Sequence, residues 1–159
     1  LPDIIGDGKE RWDWVPAISV QAAPTTIELN AGIRISQFMT KDGATGFQVD
    51  TADAPTSSIE STFDTATNGR RSLNGPKLRF KKQSGTDTVY ATLLPDVAGF
   101  LTRRKSLAAA TAFASAQPLA VFPVICSETS WLDQDDNMPE RFDIPVKLTG
   151  QPTIRAAVA

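Results

Sequence analysis

Between Arg141 and Gly150 the chain runs RFDIPVKLTG, and its side chains alternate with a period of two. Phe142, Ile144, Val146 and Leu148 fall on one side, and Arg141, Asp143, Lys147 and Thr149 on the other. Such alternation marks a strand with one buried face, because a helix would repeat its faces every ~3.6 residues. Pro145 lies on the polar side and removes one ladder donor, which favours an edge or a bulge there. A second segment, LAVFPVICSE, is apolar on both faces and predicts a central strand covered from both sides.

The rest of the chain is punctuated for the same kind of fold. IRISQFMT, Ser61 to Thr67, Lys77 to Gln83, Thr88 to Leu94, FLTRRK and PTIRAAVA all suit strands. PTTIELNAG suits a helix of one or two turns, and PDVAGF a single turn. Ala108 to Gln117 is Ala-rich but lacks an amphipathic pattern, so loop and helix both stay open. Lys41 to Ser58 is rich in turn formers and reads as a long loop or loose hairpin, with a short strand at Phe47 to Val49. Asn68-Gly69 predicts a hairpin turn, and Asn74-Gly75-Pro76 supplies a second turn signal. The expected class is mainly β: an antiparallel β-sandwich or barrel with one or two short helices. Residues 1–24, with Pro2, Pro16 and Pro24, read as an N-terminal arm; residues 25–159 form one domain, with the long loop at about 41–58 and an extended hairpin at about 61–83.

Catalytic chemistry finds little footing. The chain has no histidine, so Ser-His-Asp and Cys-His catalysis and His/Cys zinc sites are excluded. No phosphate-cradling glycine loop is present. Asp133, Asp135, Asp136 and Asn137 lack the glycine and distal glutamate of a calcium loop, and read as a solvated loop. The one cysteine, Cys126, cannot form an internal disulfide and sits in an apolar run as a buried thiol. No enzyme activity, metal or cofactor is expected. A net charge of −2 argues against a dedicated nucleic-acid binder. No apolar run approaches the ~20 residues needed to span a bilayer, and no secretory leader pattern is visible.

Trp12 and Trp14 are two apart, so an extended segment puts both on one face, against either this chain's own core or a neighbour. Arg70, Arg71, Arg103, Arg104 and Lys105 make the only basic clusters. They suit solvated turns or ion pairs across a subunit boundary to Asp50, Asp53, Glu60 or Asp133 to Asp136. In the hairpin, Leu78 and Phe80 oppose Lys77, Arg79 and Lys81, while the Ser61 to Thr67 segment has little apolar content. Its polar face looks at solvent, a channel or a sister subunit.

The succession GDGKERWDWVPAI, PTTIELNAGIRISQFMT, STFDTATNGRRS, FLTRRK, LAVFPVICSE and FDIPVKLTGQPTIRAAVA resembles, over nearly the whole chain, the major tail protein (tail tube subunit) of long non-contractile siphovirus tails. The resemblance implies a structural virion protein that self-assembles into stacked hexameric rings. Extended hairpins would join around a lumen that encloses the tape measure protein and passes DNA without specific binding. Tail terminator and tail-tip proteins would be further partners, with no membrane involved and assembly in the bacterial host cytoplasm. On this reading Trp12, Trp14, Arg70, Arg71, Arg103 and Arg104 are subunit-interface residues. Thr62, Asp64 and Ala66 face the lumen, with the Lys77, Arg79, Lys81 face as the alternative wall. A different reading is a monomeric β-sandwich binding module for carbohydrate or adhesion, which needs exposed aromatics; Tyr90 and the three tryptophans are its candidates.

Overall fold

A computed structural model describes all of residues 1–159. Strand β1 spans Arg11–Val15, helix α1 Thr26–Asn30 and β2 Ile33–Arg34. A 3-10 turn at Ser36–Phe38 leads into β3, Met39–Thr45, followed by β4, Val49–Pro55, β5, Ala66–Leu73, and β6, Lys77–Lys81. Helix α2, Thr88–Thr92, precedes β7, Ala98–Arg104, β8, Pro118–Cys126, β9, Ser130–Trp131, β10, Arg141–Leu148, and β11, Thr153–Ala157. The main sheet runs β2-β1-β7-β8-β10-β6-β3, all antiparallel, with β11 added to β8 and β9 to β10. It curls into a half-barrel, so the mainly β, antiparallel expectation holds.

The curl has a core on each side. Trp12, Trp14, Leu78, Phe80, Phe122, Val124, Phe142 and Ile144 fill its concave side. Val15, Leu29, Phe113, Leu119, Val121 and Val158 form a second cluster on the convex side. Strand β8 feeds both, Leu119 and Val121 outward and Phe122 and Val124 inward, as its two-sided apolar sequence requires. Helix α1 covers the convex side by burying Leu29, and burial of one such side chain contributes about 1.5–3 kcal/mol. Its start is fixed by a capping box, in which Thr25 accepts from the Glu28 backbone N–H and Glu28 accepts from that of Thr25.

Several expectations are corrected. Thr88 to Leu94 is not a strand: the Asp87 carboxylate accepts from the Tyr90 N–H and starts α2, which buries Val89, with Leu93 buried at its C-cap. The β-branched composition suggested a strand, but the cap and the helical spacing prevail. PDVAGF forms a turn with Asp96 in the left-handed region, at φ 65°, and not a helical turn. The expected arm is also shorter, since Arg11–Val15 lies inside the main sheet between β2 and β7. Close packing there depends on Gly99: a Cβ at this position would lie 2.5 Å from the Trp14 ring. Gly99→Ala should therefore destabilise the chain by ~1–3 kcal/mol, read by urea unfolding. An unchanged midpoint would mean that the ring can move aside freely.

Lys41 to Ser58 is not a loop but the outgoing leg of one long hairpin. Thr45 pairs with Lys77 at the upper end of β3 and β6, and Val49 pairs with Leu73 at the start of β4 and β5, so the register resumes across a short break. The break is at Gly46–Gln48 and Asn74–Pro76, where Gly46 has φ +78° and Gly75 φ +59°. A Cβ on Gly46 would sit 2.6 Å from the Asn74 carbonyl oxygen, so the two legs approach too closely there for a side chain. Below the break the hairpin belongs to the main sheet; above it, β4 and β5 form a separate two-stranded ribbon. Its turn is the stretch 56–65, not Asn68-Gly69. That dipeptide lies inside β5 at a bulge opposite Ala52, whose carbonyl oxygen would meet a Gly69 Cβ at 2.9 Å.

Candidate assembly surfaces

Four of the six residues expected at an interface make contacts within this chain. Trp12 and Trp14 are each 2% exposed. Trp12 packs on Phe47 and Phe122, at ring separations of 4.8 and 6.1 Å, because the curl brings β1 over the break in the hairpin. Neither ring keeps a face for a neighbour. Arg103 pairs with Glu10 at 2.7 Å and lies over the Trp12 ring. Arg104 is 1% exposed and donates to Gln117 Oε1 and to the Ala108 and Thr111 carbonyls, at 3.1, 3.1 and 2.8 Å.

These bonds explain why the Ala-rich segment after Lys105 is a set of turns. Its carbonyls are taken by Arg104 and by Arg11, which also donates to Thr111 O, and Phe113 is flanked by both guanidinium groups at 4.3 and 5.0 Å. Asp13, itself buried, accepts two bonds from Arg11, at 2.8 and 3.1 Å. Burial pushes the Asp13 carboxyl above the usual carboxylate value, against the pull of Arg11. Burial likewise lowers the Arg104 pKa, with Arg11 repulsion adding to it. The cluster belongs to the interior, and the sequence signal for it was the i, i+2 pair Arg11 and Asp13 on the face of β1 opposite the tryptophans.

Two of the three basic residues of β6, Lys77 and Arg79, are answered within their own sheet too. Arg79 donates to both Asp143 oxygens at 2.8 and 3.1 Å and to Asp42 at 3.0 Å, and the Asp143 bond holds its pKa above the usual value. Lys77 lies 3.9 Å from the same Asp143. Cys126 is buried, which pushes its thiol up to about 11 and keeps it from reacting as a thiolate. No group of three or more His, Cys, Asp or Glu side chains converges to hold a metal, and no helix is long and apolar enough to cross a membrane. Of the aromatics that a sugar platform would use, Trp131 alone among the tryptophans is exposed.

Arg70 and Arg71 are different. Both are exposed on β5 and neither forms an ion pair within the chain. Nearly every residue of β4 and β5 is exposed, on both faces of the ribbon. Thr62 and Asp64 lie in its turn and Ala66 opens β5, so the three share no strand face as Ser61 to Thr67 would have provided. The turn is held by its own bonds: Thr56 N–H to Thr65 O, Thr65 N–H to Ser57 Oγ and Ser58 N–H to Ser61 Oγ. At the ribbon's base, β5 and the β10–β11 connection line a cleft of about 930 Å³.

The body thus holds two cores, and an exposed two-stranded ribbon continues from its main sheet. A family model described as phage tail tube protein matches residues 1–159. The chain belongs to the phage tail tube protein family. It is a structural tail component, hence a part of the virion, in a family that is not typically enzymatic. Among solved structures, a chain in the cryo-EM structure of the anti-feeding prophage baseplate, 6-fold symmetrised, superposes with a TM-score of 0.57 at 7% identity, covering 98% of this chain and 97% of that one. At that identity the likeness is one of fold. Comparison with curated protein sequences finds no match.

Proposed function

We propose that this chain is the repeating subunit of a siphovirus tail tube, built as hexameric rings that stack around a lumen. The carrying observation is the β4–β5 ribbon, which is exposed on both faces and hydrogen-bonded along one edge of each strand only. An isolated two-stranded hairpin is marginal in water, and free strand edges are templates for pairing. Neighbouring copies that add to these edges would supply what the chain itself does not. Family membership and a fold shared with a chain of a six-fold baseplate support the same reading. The lumen would hold the tape measure protein and then pass DNA, consistent with a net charge of −2 that offers duplex DNA no general attraction. Terminator and tip proteins would cap the two ends, with assembly in the host cytoplasm. A lumen-facing role for Thr62, Asp64 and Ala66 would fall to the ribbon's turn and the start of β5 rather than to one strand face. Negative-stain microscopy of the concentrated protein should show rings or tubes with sixfold end views. Particles that stay monomeric at every concentration, also with tip proteins added, would count against the proposal.

A further inference from the structure

The dipeptide Asn-Gly occurs twice in this chain, and the fold treats the two copies differently. Asn68-Gly69 lies inside β5, where Asn68 pairs with Asp53 across the ribbon. The Ala52 carbonyl oxygen closes on Gly69 and would meet a Cβ there at 2.9 Å. Asn74-Gly75 lies outside both strands, in the break between body and ribbon. Asn74 is exposed, and the Gly75 N–H donates to no backbone carbonyl. A Cβ on Gly75 would meet nothing within 4 Å, so the space around this nitrogen is open. Gly75 also lines a cleft of about 570 Å³ with Arg71, Lys77 and Lys147 and no carboxylate. Asn30 and Asn137 are followed by Ala31 and Met138, whose side chains hinder approach to the next nitrogen.

We propose that Asn74 is a modification site: the Gly75 nitrogen closes on the Asn74 Cγ, and the succinimide so formed opens to isoaspartate or aspartate. A base, hydroxide or buffer, takes the Gly75 N–H proton. The nitrogen then bonds to Cγ, and Nδ2 leaves as ammonia. Water opens the ring. Addition at Cγ gives aspartate, and addition at the Asn74 main-chain carbonyl carbon gives isoaspartate, whose main chain runs through Cβ. One water is consumed and one ammonia released, with no change of oxidation state. The cations that share the cleft with Gly75 favour the deprotonated nitrogen and the oxyanion of the adduct. Asn68 is protected, because an asparagine in an extended, paired strand brings Cγ onto the next nitrogen only by leaving the ladder. The consequence falls on the hinge of the ribbon. The Asn74 and Gly75 carbonyls already press on Gly46, so one added main-chain carbon shifts the two legs and re-aims the ribbon on the body.

Peptide mapping of the aged full-length protein tests the site. Cleavage after Lys41, Arg70, Arg71 and Lys77 puts Asn68 in peptide 42–70 and Asn74 in peptide 72–77, so mass spectrometry follows each amide-to-acid exchange separately. At mildly alkaline pH Asn74 should convert at least about tenfold faster than Asn68, which reacts only through local opening. In urea the two rates should come within about threefold of each other, since neither site keeps its folded surroundings. Asn74→Gln should hold peptide 72–77 unchanged, because the longer side chain closes its ring far more slowly. An isoaspartyl methyltransferase with labelled methyl donor should mark the aged parent and leave aged Asn74→Gln unmarked. In the isoaspartate fraction, isolated by anion exchange, trypsin should cut at Arg70 and Arg71 faster than in fresh protein. Equal rates in the folded chain, or faster loss at Asn68, would overturn the site. A gap that persists undiminished in urea would overturn the structural account of it, and unchanged tryptic cleavage would overturn the re-aiming of the ribbon. None of these outcomes depends on rings or tubes forming.

Discussion

Exchanging Arg104 for alanine should lower stability by about 3–5 kcal/mol, the range for emptying a large buried site and stranding its partners. Ala108 O and Gln117 Oε1 lose their donor, Thr111 O keeps only Arg11, and Phe113 loses one of its two flanking cations. At ~2–4 °C per kcal/mol for a chain of this size, the melting temperature should fall by roughly 10 °C. Trypsin should also cut after Lys105 faster, because the turns behind that bond lose their anchor. Arg104→Met should cost less. It keeps most of the packing and removes a charge that burial disfavours, while Ala108 O and Gln117 Oε1 remain unanswered. If instead both variants melt like the parent and lose only assembly, Arg104 faces a neighbour after all and its internal bonds are dispensable.

The second large effect concerns the ribbon. Val49 and Leu73 face each other directly, so replacing residues 50–72 with Asn-Gly leaves a two-residue loop of the length a hairpin favours. This keeps Phe47 against Trp12 and Phe122. The shortened chain should melt within a few degrees of the parent, because the removed residues contribute nothing to either core. It should form no rings or tubes under conditions where the parent does, as sedimentation and microscopy would show. A large fall in melting temperature would mean that the ribbon braces the body. Tubes of normal diameter from the shortened chain would move the assembly determinants elsewhere.

The body was more legible in the sequence than the assembly element. β10 and β8 stood out because burial on one face and on two faces writes different patterns, and the capping box of α1 is local chemistry. The ribbon's turn is not where its composition points. Asn68-Gly69 has turn composition, yet here it makes room for a bulge, and a strand that nothing in its own chain covers carries no apolar alternation to betray it. For the candidate site, basic clusters are visible in sequence but their partners are not. Arg70-Arg71 and Arg103-Arg104 look alike on paper. They part company because Arg104 sits on a strand whose convex side is roofed by the turns behind Phe113, while β5 has no roof. The spacing of Trp12 and Trp14 puts them on a common face, but which layer that face meets is a property of the curl.

A protein built to polymerise must first survive being made in many copies. The naked ribbon is a hazard during that wait, since two-sided, unpaired strands invite indiscriminate stacking into amyloid-like aggregates. Each edge carries a deterrent. On β4, Pro55 lacks a donor and Asp50 and Asp53 repel like copies; on β5, the bulge at Gly69 and the adjacent Arg70 and Arg71 break the flat register that a random strand would match. The irregularities of the ribbon thus act as a shelf-life device, keeping a concentrated pool of subunits in solution until a correctly shaped neighbour arrives.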